Sequence, residues 1–162
     1  MPQEITTITL PMPLRMGDVN CYLVESDGSQ VLVDAGTAGR RRQIEAALLD
    51  AGCAPAVLKL IVITHGDYDH TGSAAALSVR FEAPIAMHRA DSTMASTGDM
   101  FANRHRPIAL MRVGARWLFG FGEGSRFEPD VCLEDGDSLA AYGLDAEIVS
   151  IPGHSQGSIG IL

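Results

Sequence analysis

The 162-residue sequence has only three cysteines, Cys21, Cys53 and Cys132. Their number is odd and their spacing wide, which fits neither a disulfide framework nor a paired-cysteine zinc knuckle, so they are read as free, reduced thiols. Positive charge is also scarce: 12 Lys and Arg stand against 20 Asp and Glu, a formal charge of −8. That is the wrong sign for a domain that neutralises a run of phosphates, and nucleic acid is not expected as a partner. One basic group, Arg104, Arg106, Arg112 and Arg116, reads first as a solvated helix face and only second as an attractor for a small anionic substrate. No apolar run approaches the roughly 20 residues of a bilayer span, and residues 1–14 lack the basic start and long apolar core of a signal peptide. A cytoplasmic protein with no membrane partner is the expectation.

What is present is a chain with 46% hydrophobic and 20% charged residues, the composition of a packed globule. No repeat, low-complexity tract or linker divides it, so residues 1–162 read as a single domain. Residues 5–10, 20–25 and 30–34 are short apolar stretches separated by turn-formers and predict an antiparallel meander. Residues 38–51 carry Ile44, Leu48 and Leu49 on one helical face, with Gly52 placed to end it. Residues 58–64 form a continuous apolar run of the kind found in a strand covered on both faces. A second helix over 71–81, with Leu77 and Phe81 on its apolar side, and a strand over 84–88 follow. Residues 91–124 read as a helical excursion broken by Pro107 and glycines. Residues 127–133, 137–141, 145–151 and 158–162 predict short strands of a second small sheet.

Chemistry concentrates in His65-Gly66-Asp67-Tyr68-Asp69-His70, directly after the buried strand. Four of these six residues are potential metal ligands. In an extended segment His65, Asp67 and Asp69 point the same way, whereas a turn at Asp69-His70 sends His70 elsewhere, so the loop can serve two adjacent metal positions. Singly, Asp69 reads as a helix cap and Asp67 as a turn-former beside Gly66. Together, two His and two Asp at the carboxyl end of a strand point to metal binding. His154, in the turn 152–158 after another apolar strand, supports this. His88 and His105 read as surface histidines beside arginines.

Residues 64–70 and 153–158 resemble, in order, the Thr-His-x-His-x-Asp-His loop and the Gly-His-Thr-x-Gly-Ser turn of the metallo-β-lactamase superfamily. The resemblance extends over 20–36, where Val-Asp-Ala-Gly is similar to the family's Leu-Ile-Asp-Thr-Gly, and over 127–162, leaving 92–124 outside. It implies an α/β fold, the αββα sandwich with two mixed sheets back to back and helices outside. It implies His65 and His154 as ligands of a first metal, Asp69 and His70 as ligands of a second, and Asp34 beside the site.

The chain departs from that pattern twice. Asp67 replaces the motif's second histidine, and an oxygen donor shifts preference from zinc toward iron or manganese without excluding zinc. The superfamily's diiron oxygen-reducing flavoproteins similarly carry an acidic residue there. The family also places a bridging Asp and a last His after the Gly-His-Thr-x-Gly-Ser turn, and the sequence stops at Leu162, so an incomplete domain is expected. An exposed sheet edge near 158–162 would then invite self-association. The resulting expectation is a metallo-hydrolase with one or two divalent ions, zinc first. His65, Asp67, Asp69, His70 and His154 would be the ligands, and Asp69 would also act on water. Its substrate would be a small ester, thioester, lactone or lactam, by analogy with the hydroxyacylglutathione hydrolase branch. Iron-dependent redox chemistry and a non-catalytic metal-binding fragment are the alternatives.

Overall fold

A computed structural model describes residues 3–12, 17–102 and 123–162. Arg104, His105, Arg106, Pro107, Arg112 and Arg116 lie outside the described residues. Strands β1 (Glu4–Pro11), β2 (Asp18–Ser26) and β3 (Ser29–Val33) form the expected antiparallel meander. The β2–β3 hairpin turns on Asp27 and Gly28, with φ of 50° and 77°, the pair of left-handed residues that a two-residue turn matched to strand twist requires.

From β3 onward the sheet is parallel: β4 (Leu58–Ile63), β5 (Ile85–His88) and β6 (Val131–Leu133) complete a six-stranded sheet in chain order. Parallel neighbours need crossovers, and helices supply the first two. Helix α1 (Arg41–Asp50) connects β3 to β4, burying Ile44 and Leu48 one turn apart. Between β4 and β5 the single helix expected over 71–81 is two: α2 (Tyr68–Thr71) and α3 (Ala74–Phe81). The break lies at Gly72 and Ser73, where the backbone of residues 36–38 comes so close that a Cβ on Gly72 would lie 2.5 Å from Ala38 N. The Ser73 hydroxyl donates to the Thr37 carbonyl at 2.8 Å, tying the break to that segment.

Period-two alternation sorts the sheet's side chains between two cores. Leu32, Ile61, Ile63, Ile85 and Met87 face Ile44, Leu48, Leu77 and Phe81 of the helices. Val31, Val33, Leu60, Val62 and Ala86 face Leu139, Leu144, Ile148 and Ile159. Full burial of each such aliphatic side chain contributes roughly 1.5–3 kcal/mol. The second layer contains a two-stranded antiparallel sheet, β7 (Ile148–Ser150) with β8 (Ile159–Ile161). The order is thus helices, six-stranded sheet, small sheet. Among the described residues no α-helix follows α4 (Ser92–Thr97).

Two expectations for this half are corrected. Residues 127–133 do not start the second sheet, because Val131, Cys132 and Leu133 pair with Ala86, Met87 and His88 of the first. Residues 137–141 are not a strand. A single bridge joins Ser138 to Glu147, and Ala140–Tyr142 is one 3-10 turn ending at Gly143, φ 82°. That turn places Leu139, fully buried, in the core between the sheets, a need that outweighs local alternation. All three cysteines are free. Burial, then the charge of Asp34, pushes the Cys21 thiol up to about 12; burial, then Glu25, pushes Cys53 up to about 11.

Candidate metal centre

The site lies beyond the carboxyl ends of β3 and β4, where open α/β sheets place ligands. Asp34 is the first residue past β3 and takes φ 64°, a left-handed conformation that costs a non-glycine residue of order 1 kcal/mol. Two backbone bonds hold it there: Asp34 N–H to the Val62 carbonyl and Ala35 N–H to the His70 carbonyl, both 2.8 Å. Its carboxylate accepts from Thr64 N–H at 2.9 Å and from the Thr64 hydroxyl at 2.8 Å, and it contacts His70 Nδ1 at 2.8 Å.

These contacts fix the rings. Because the Thr64 hydroxyl donates to Asp34, it must accept at His65 Nδ1, 3.0 Å away, which leaves the His65 Nε2 lone pair facing the site. His70 donates Nδ1–H to Asp34, so its Nε2 also faces inward, 3.7 Å from Asp69 Oδ2. One carboxylate thus orients two imidazoles, the arrangement by which metal-site histidines are commonly held in one tautomer. The His65 and His70 ring centroids are 4.1 Å apart, and those of His65 and His154 are 4.9 Å apart at 83°.

Asp67 is the junction of the two turns. It occupies the N-cap position of α2 in an extended conformation, yet its side chain makes no capping bond. Instead Oδ2 lies 2.8 Å from His154 Nε2 and 3.6 Å from His65 Nε2. His65, Asp67 and His154 each present a donor atom within 4.8 Å of the others. Bonds of about 2.0–2.2 Å to a tetrahedral ion put its donors roughly 3.3 Å apart, so this nitrogen and oxygen set fits a divalent metal after small adjustments. His154, with a side chain 61% exposed, opens the cluster to solvent.

The loop does not split as simple alternation predicts. Tyr68 already begins α2, so Asp69 leaves the line of His65 and Asp67 and falls beside His70. The structure therefore makes two groups: His65, Asp67 and His154, and next to them Asp69 with His70. His88 is engaged structurally, its Nδ1 accepting from Ala90 N–H at 3.1 Å. Two further residues of the site, Thr64 and Asp91, are not singled out by the sequence pattern. Thr64 opens the loop 64–70 and sits one residue before a candidate ligand, whereas nothing local marks Asp91.

Burial works to lower the His70 pKa, but the hydrogen bond and charge of Asp34, with Asp69 and Asp67, outweigh it and raise the value. In metal-free protein followed by NMR, the His70 ring is expected to titrate above the ordinary 6.5. Since the folded value lies above the unfolded one, the Asp34–His70 pair contributes fully below pH 6.5 and its contribution fades as pH rises through the folded value. A ring titrating at or below 6.5 would remove Asp34 as its anchor.

A sheet with parallel central strands and a His/Asp cluster on loops at its carboxyl edge defines an α/β domain with a candidate metal site. Residues 14–162 match the family model of the metallo-beta-lactamase superfamily, and the chain belongs to that superfamily. It is 27% identical over 153 residues to hydroxyacylglutathione hydrolase GloC of Haemophilus influenzae, covering 93% of this chain and 64% of that protein. An uncharacterised protein of Mycobacterium tuberculosis is 32% identical over 145 residues, 86% of this chain and 58% of that one. Native FEZ-1 metallo-beta-lactamase of Legionella gormanii shares the fold, with a TM-score of 0.76 at 16% identity over 99% of this chain and 57% of that one. The chain spans about three fifths of the length of these relatives.

Proposed function

We propose that the chain is a metal-dependent hydrolase centre that takes a divalent ion, zinc first, on His65, Asp67 and His154. Asp69 and His70 serve a neighbouring position. The observation that carries this reading is the convergence of three donor atoms within 4.8 Å from two turns far apart in the chain. Chance seldom brings two imidazoles and a buried carboxylate together at the mouth of a sheet.

When bound, a divalent ion there supplies Lewis acidity and makes water available as a nucleophile near neutral pH. The chain's own groups do the rest. Thr64 and Asp34 keep the two inward-facing Nε2 atoms from rotating away. Asp69, beside His70 and partly exposed, orients the attacking water and accepts its proton. The substrate is a small ester, thioester, lactone or lactam, in keeping with the net charge of −8, which disfavours a phosphodiester substrate. Resemblance to the Haemophilus influenzae hydrolase favours the thioester.

Elemental analysis per chain, with turnover of an ester, thioester, lactone and lactam panel before and after chelation, tests this. About one ion per chain and chelator-sensitive hydrolysis of at least one class are expected. Because Asp69 and His70 are the two donors that the described residues bring to the neighbouring position, slow turnover is expected. Zinc uptake by a His65→Ala variant equal to that of the unmodified protein would overturn the reading. Asp67 favours a second reading, iron in redox service, since carboxylate oxygen suits iron better than a third imidazole does. A coloured, iron-loaded protein from iron-rich medium without hydrolysis of any panel member would favour it.

Among the described residues no helix is long and apolar enough to cross a membrane. A small-molecule substrate is the partner proposed.

A further inference from the structure

Asp91 is a carboxylate with no exposed surface, at the end of the 3-10 turn Arg89–Asp91 that follows β5. Its Oδ2 accepts from Gly66 N–H at 2.9 Å and from the Ser155 hydroxyl at 2.6 Å, and its Oδ1 accepts from Gly157 N–H at 2.8 Å. Gly66 separates His65 from Asp67, and Ser155 adjoins His154. A single side chain from a third segment therefore grips both donor-bearing turns.

The surroundings are shaped for that grip. A Cβ on Gly157 would stand 2.7 Å from Asp91 Cγ, and one on Gly66 would stand 2.7 Å from Met94 Cβ. Having donated to Asp91, the Ser155 hydroxyl accepts from that of Ser158 at 2.8 Å, and Ser158 Oγ also takes the Ser155 N–H at 3.1 Å. Burying a carboxylate costs more than burying an apolar side chain in the same space, and here the three bonds it accepts offset that cost.

We propose that Asp91 is a positioning residue that latches the His154 turn onto the His65 loop, holding the three donors ready for metal. The proposal rests on the hydrolase-centre reading for its purpose, while the latch itself is independent of metal. Asparagine at this position offers one carbonyl oxygen and an NH2 group, so at least one of the Gly66 and Gly157 amides loses its acceptor.

The test combines amide hydrogen exchange of the metal-free protein with zinc titration, for the unmodified chain and for Asp91→Asn, Ser155→Ala and Ser155→Thr. In Asp91→Asn, exchange at Gly66 or Gly157 is expected to rise about tenfold relative to Ile61 and Val62 in β4, and zinc affinity to fall about tenfold or more. Ser155→Ala is expected to do the same more weakly, and Ser155→Thr, which keeps the hydroxyl, to retain most of both. Should Asp91→Asn fail to fold, the Ser155 pair decides. Unchanged exchange at Gly66 and Gly157, or a uniform rise over the whole chain with zinc affinity intact, overturns the latch. Localised exchange in the variants with no zinc uptake by the unmodified protein supports the latch and sinks the hydrolase-centre reading instead.

Discussion

Asp67→Ala is expected to weaken zinc binding by about 100-fold or more while leaving the chain folded. The carboxylate is the common neighbour of both imidazoles, at 2.8 Å from His154 Nε2 and 3.6 Å from His65 Nε2, and without it two donors remain. Two ligands seldom hold an ion tightly, since structural and catalytic zinc sites use three or four. Folding survives because the work Asp67 does for α2 is done by its backbone: its carbonyl accepts from His70 N–H, Thr71 N–H and the Thr71 hydroxyl. Asp67→His is the complementary variant. It restores a third donor and should raise zinc affinity relative to iron, because imidazole suits zinc better than a lone carboxylate oxygen does. Competitive titration with both metals checks it. An alanine variant that holds zinc like the unmodified protein, or a histidine variant with an unaltered metal preference, would mean that Asp67 shapes the loop without touching an ion.

Gly72→Ala is expected to cost roughly 3 kcal/mol or more, a large share of the stability of a domain this size. A Cβ there would meet Ala38 N at 2.5 Å, Tyr68 O at 2.7 Å and Gly36 O at 2.9 Å. All three are backbone atoms, which cannot swing aside as a side chain does. Gly124→Ala, at a glycine whose Cβ would meet none of the described residues within 4 Å, is the control and should change little. Denaturant unfolding of the two variants measures the difference; equal midpoints would show that the segment carrying Asp34 and the segment carrying His70 approach less closely than described.

Where one face of a strand alternates or both are apolar, the sequence was readable. Strands β1 to β5 fall within a residue or two of the expected spans, because their apolar spacing is set by a single packing surface; α1, expected over 38–51, starts three residues later behind the 3-10 turn Ala38–Arg40 and leaves Leu49 exposed. Boundaries failed where a contact distant in sequence decides them. The helix expected over 71–81 breaks at Gly72 because residues 36–38 press on it, and the strand expected over 137–141 gives way to burying Leu139. The same division holds for the centre. His65, Asp67, Asp69, His70 and His154 stand out as chemistry in a dense loop and a turn. Asp91 lies 25 residues from Gly66 and 64 from Ser155, and no local spacing announces that one carboxylate serves both.

Asp67 and His154 are 87 residues apart in the chain and 2.8 Å apart in space. An ion shared between them would close a ring of that size, the topological equivalent of a reversible cross-link. For a ring of this size the chain-entropy penalty removed from folding is roughly 4–5 kcal/mol. Metal supply would then govern how long the protein persists as well as what it can do. Starved of the ion, the molecule would lose that staple at the turn between β7 and β8, and protease resistance would fall together with turnover as metal is withdrawn.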